Sequence, residues 1–96
     1  MDEPPKAEDF LPHVGKTFAV RNGRHALVLS RVEQPRVGDR AGFPDPFLLI
    51  FHGPPGDILP EGLHAFAVED GPTFELYVMP IHTPARDRQD YQAAFN

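Results

Sequence analysis

The chain has 96 residues, of which 41% are hydrophobic and 24% charged, with a net charge of −5 and no cysteine. That length accommodates one domain, since domains run from roughly 50 to 250 residues. No apolar run approaches the ~18 residues of a membrane span, and the missing thiols exclude a disulfide framework, a thiolate metal site and a cysteine nucleophile.

Residues 1–5 read as a flexible tail and residues 6–96 as a single small β domain. Lys6–His13 predicts a short helix, with Glu8 and Asp9 in its first turns where the helix dipole favours anions. Phe10, Leu11 and Val14 form its apolar side. Pro12 keeps it short, and Gly15 suits the left-handed position after its end. A helix of this length persists only when packed on something else.

That partner is a β-sheet. Thr17–Arg21 and His25–Glu33 flank Asn22-Gly23, a strong hairpin signal in which both turn residues take positive φ. The turn pairs residues whose numbers sum to 45 and places Phe18, Val20, Leu27 and Leu29 on one face. Pro46–Gly53 is apolar on both faces, which predicts a central strand covered on both sides, with the helix as its cover. Leu63–Glu69 and Thr73–Ile81 form a second hairpin around Asp70-Gly71. There the apolar sets His64/Phe66/Val68 and Phe74/Leu76/Val78 align only across a loop of odd length, such as residues 70–72. Asp90–Asn96 alternates with Tyr91, Ala93 and Phe95 inward. No internal repeat of 20–50 residues is visible. Six short strands and one helix predict a mainly β fold, a small antiparallel barrel or roll.

Charge is unevenly placed along the chain. Residues 16–40 carry a net +4, whereas residues 41–85 hold six acids and neither Lys nor Arg. An overall acidic chain argues against a nucleic-acid partner. The segregation is expected to serve pairing between strands of opposite sign, with a basic patch for an acidic partner as the alternative.

Candidate chemistry is sparse. Ser30 is the only serine and lies mid-strand without a glycine-flanked elbow. His52, His64 and His82 fall at the same end of an up-and-down sheet. Three imidazoles with a water would suit a catalytic zinc, so a zinc-dependent hydrolase is the enzymatic alternative to a chain otherwise expected to be non-catalytic and without a cofactor. Gly53-Pro54-Pro55-Gly56 has too few N–H groups to cradle a phosphate; it predicts a rigid crossing, with Pro54 and Pro55 as a partner-contacting knuckle. The long connection 34–45 offers Arg36, Arg40 and Phe43, residue types favoured at protein interfaces.

The chain resembles a family of small bacterial proteins known only as a domain of unknown function. The resemblance is carried by Ala7-Glu8-Asp9-Phe10, Val14-Gly15-Lys16-Thr17-Phe18, Leu48-Leu49-Ile50-Phe51-His52-Gly53-Pro54-Pro55-Gly56, Leu59-Pro60-Glu61-Gly62, Val78-Met79-Pro80-Ile81 and Tyr91-Gln92-Ala93-Ala94-Phe95-Asn96. It departs from the family pattern at Lys6, where a capping Thr or Ser is usual, and the histidine set 52, 64 and 82 does not belong to that pattern. The resemblance implies a stand-alone domain, and at most an accessory role in a phage-tail-like assembly. The expected function is a non-catalytic protein-binding or assembly module in the bacterial cytoplasm. It would act through loop 34–45, the Gly-Pro-Pro-Gly crossing or an edge strand, which can add a strand from a partner or a second copy, with no membrane partner. A small-ligand-binding barrel is a further alternative, although barrels this small are usually filled by their own side chains.

Overall fold

The computed structural model describes residues 5–34 and 46–95. The helix forms as α1 (Ala7–Phe10) and passes into a 3₁₀ turn over Leu11–His13, where Pro12 is accommodated. Lys6 offers no capping oxygen, but the Asp9 carboxylate accepts a hydrogen bond from the Lys6 N–H at 2.8 Å. One of the free N–H groups at the helix start is thereby satisfied.

Six strands follow: β1 (Thr17–Val20), β2 (Ala26–Glu33), β3 (Phe47–Gly53), β4 (Gly62–Val68), β5 (Thr73–Pro80) and β6 (Gln89–Phe95). They close into an antiparallel barrel in the order β1-β2-β3-β6-β5-β4. Two three-stranded meanders, β1–β3 and β4–β6, are thus zipped together along β1–β4 and β3–β6. Closure joins the outermost strands of the two meanders, so a free edge can lie only where a ladder of the ring is incomplete.

The first predicted register holds; in the second the odd parity holds, but the pairing lies two residues from the one a 70–72 loop would set, Phe66 opposite Leu76. Phe18 pairs with Leu27 and Thr17 with Val28, while Phe66 pairs with Phe74 and His64 with Leu76. The turns differ from expectation. Asn22 has φ 62° but Gly23 is not left-handed, and four residues, 21–24, link the pair formed by Val20 and His25. In the second hairpin the odd loop is residues 69–71, because the Val68 N–H donates to the Pro72 carbonyl at 2.9 Å. Both turns are tightly packed at their glycines: a Cβ at 23 or 71 would lie 3.2 Å or 3.3 Å from the Cγ1 of Val20 or Val68, closer than ordinary contact.

The twin turns expose a repeat. Phe18-Ala19-Val20-Arg21-Asn22-Gly23 recurs as Phe66-Ala67-Val68-Glu69-Asp70-Gly71, contrary to the expectation of none. The two copies pair antiparallel about Ala19 and Ala67. Around that centre, Arg21 donates to Ala65 at 2.8 Å and Glu69 to Thr17 at 2.9 Å, a matched pair of backbone bonds.

The interior is filled by side chains. Phe18, Leu27, Leu29, Leu49, Phe51, Phe66, Leu76, Val78, Tyr91 and Ala93 are all at most 1% exposed. Ser30 is a bulge residue: the β2–β3 register shifts between Leu29 and Arg31. The shift turns Val32 toward the core opposite Leu49. The helix does not cover the outer face of β3, as the sequence had suggested. Phe10 instead plugs one mouth of the barrel, with ring centroids 4.5 Å from Phe74, 5.7 Å from Phe95 and 5.9 Å from Phe47.

Candidate functional site

The two ends of the barrel are closed by different devices. At the end opposite the helix, β3 and β4 lie across the ring from one another, so the segment between Gly53 and Gly62 must span the mouth. Leu59, 2% exposed, drops from that segment into the core. Its backbone N–H donates to the Tyr91 hydroxyl at 2.9 Å, giving a buried phenol its partner. Gly53 allows the turn to begin tight against the wall, since a Cβ there would lie 2.8 Å from Leu27 Cδ2 and 3.1 Å from Tyr91 Cε1. The expected rigid crossing is therefore present, and Pro54 and Pro55 are exposed on its outer side.

Asp57 fastens this crossing to the first hairpin turn. Its carboxylate accepts from Arg24 Nη2 at 2.8 Å and Nε at 3.2 Å, and lies 3.2 Å from His25 Nε2. The hydrogen bond from Arg24 is the main cause that holds the Asp57 carboxyl below the usual carboxylate range, against the opposing effect of desolvation. The pair joins the basic and acidic stretches of the chain through a turn and a crossing rather than between neighbouring strands as expected.

The three candidate zinc ligands share this end but not a centre. His52 points away from the inward set of β3 and lies 3.7 Å from Asp90, itself held by Arg88 at 2.7 Å. His64 is spent on the Pro60 carbonyl at 2.9 Å, and His82 is exposed. No cluster of His, Asp and Glu suited to a metal ion exists among the described residues. Arg36, Arg40 and Phe43 lie outside the described residues.

Exposed large apolar side chains lie on the helical segment (Leu11, Val14), on β2 (Val28), on the crossing (Ile58) and on the β4–β5 wall, where two of them are cross-strand neighbours. Leu63, 61% exposed, pairs across the ladder with Tyr77, 51% exposed. The Tyr77 hydroxyl donates to the Glu61 carboxylate, and that bond to an anion raises the Tyr77 pKa above the ordinary phenol value. Ile58, 49% exposed, projects from the crossing. This pair was not singled out in the sequence, although the alternation of β4 and β5 already put both residues on the outer face.

One further feature of the wall is the β5–β6 ladder. Only Met79↔Gln92 and Pro80↔Tyr91 pair there, whereas β6 pairs with β3 along its whole length. A groove of about 420 Å³ lies between the helix and the start of β3, bordered by Lys6, Leu11, Gln34 and Phe47.

No helix among the described residues is long and apolar enough to cross a membrane. No curated protein matches the chain, and no solved structure does so. The family model described as Domain of unknown function (DUF6916) matches residues 5–95, so the chain belongs to that family.

Proposed function

We propose that this protein is a non-catalytic protein-binding module that meets another protein through the outer surface of β4 and β5. The observation that carries the reading is the exposed Leu63–Tyr77 pair. Large aromatic and aliphatic side chains held on a rigid wall are the material of interface anchors. The filled interior supports the same reading over a small-ligand carrier, because core side chains and the plugs Phe10 and Leu59 occupy the volume a ligand would need. The three-histidine hydrolase finds no support in side chains that point apart. Pro54 and Pro55 remain a second contact candidate on the crossing. A bacterial, cytoplasmic setting and an accessory role in a larger assembly complete the proposal.

Replacement of Leu63 and Tyr77 by Asp tests it. Both side chains are exposed, so the fold should persist while affinity for the partner captured from native cells falls roughly tenfold or more. Capture that survives both substitutions unchanged would contradict the reading.

A further inference from the structure

The partial β5–β6 ladder has a definite hydrogen-bonding phase. The Val68 N–H bonds the Pro72 carbonyl, so by the alternation of antiparallel pairs Phe74, Leu76 and Val78 direct their backbone groups toward β4. Thr73, Glu75 and Tyr77 direct theirs the other way, toward β6. On β6, the bond from Ile81 N–H to the Asp90 carbonyl at 3.0 Å puts Asp90, Gln92 and Ala94 on the side facing β5. The next pair in that ladder would be Tyr77 with Ala94, and it does not form. Phe10 stands at the parting, with its ring packed on both Phe74 of β5 and Phe95 of β6. Half of β5 therefore presents an unpaired row inside a barrel that is otherwise closed, among the described residues.

We propose that this row, Thr73 to Tyr77, is a docking edge for an extended basic segment of a partner protein, which adds beside β5 as a strand. Strand addition uses free backbone groups for affinity and alternate side chains for selection. Selection here is electrostatic. Glu75 projects outward in the middle of the row, with Glu61, Glu69 and Asp70 on the same hairpin or just before it, and no Lys or Arg occurs between residues 41 and 85. Lys or Arg on the incoming strand meets Glu75, while its apolar residues meet Tyr77. A second copy is disfavoured as the occupant, because antiparallel β5–β5 pairing brings two Glu75 carboxylates together. The inference rests on the protein-binding reading and names the chemistry of the partner.

Amide hydrogen exchange on the free protein tests the edge itself. The N–H groups of Glu75, Tyr77 and Ala94 should exchange much faster than those of Phe74 and Leu76; equal protection would overturn the proposal. Selection from a library of displayed random peptides tests the ligand. Enriched peptides should be extended and basic, and should bind Glu75→Pro roughly tenfold more weakly or worse. Glu75 gives no N–H to the β4 ladder, so that variant should still fold. Glu75→Lys, with the backbone intact, should reject the same peptides by charge. Acidic or helical winners, binding unaffected by both variants, or a doubled mass in solution would each overturn the proposal. Binding lost only on Leu63→Asp would overturn the edge and leave the protein-binding reading standing.

Discussion

At the residue scale, a few polar atoms decide how the crossing is held. Tyr91 is fully buried and its hydroxyl is the acceptor for Leu59 N–H. Tyr91→Phe leaves that N–H without a partner, at a cost of about 1–3 kcal/mol in a chemical denaturation curve. Asp57 gives a pH dependence of known sign. Its carboxyl is held low in the folded state by Arg24, so the stabilisation is present at neutral pH and is lost as pH falls below about 4. Thermal melts of Asp57→Asn should therefore decline less steeply with acid than those of the unaltered protein. Tyr77 has the opposite sign: its raised pKa means a contribution present at neutral pH and lost in strong alkali. Glu61→Gln should move Tyr77 ionisation back toward the ordinary value, read by tyrosinate absorbance.

At the element scale, much was legible because period and turn chemistry agree. The number sum of the first hairpin followed from Asn22-Gly23 and from the shared face of Phe18, Val20, Leu27 and Leu29, and the structure keeps it. The odd loop of the second hairpin followed from the shared face of His64, Phe66 and Val68 with Phe74, Leu76 and Val78, whereas parity alone left its placement at 69–71 open. The turn conformations were not legible, because a four-residue loop gives the same register as the two-residue one. Nor was the helix position. Phe10 reads as one more apolar residue on an amphipathic turn, and only the geometry of three distant strands makes it a plug. Phe10→Ala should cost about 3–5 kcal/mol in a denaturant melt, far more than Leu11→Ala on the exposed side of the same segment.

At the scale of the whole molecule, closure is what local pattern could not reveal. Six alternating segments fit a barrel or an open roll equally well, and the β1–β4 and β3–β6 seams join residues far apart in the chain. The recurrence of Phe-Ala-Val before both turns was the available signal, since paired copies of one segment imply a local two-fold centre. The site was less legible than the fold. Pattern placed His52, His64 and His82 at one end, but His52 leaves the inner face and His64 turns to Pro60. The outer wall at Leu63 and Tyr77 is instead where two exposed apolar side chains pair across a ladder.

Site-specific photo-crosslinking in native cells tests the central claim most directly, with the reactive group placed at Leu63 and, as a control, at Val14 beyond the helix. The account predicts a covalent adduct with another polypeptide from position 63 and none from position 14. Adducts from position 14 alone, or no protein adduct from position 63, would contradict it.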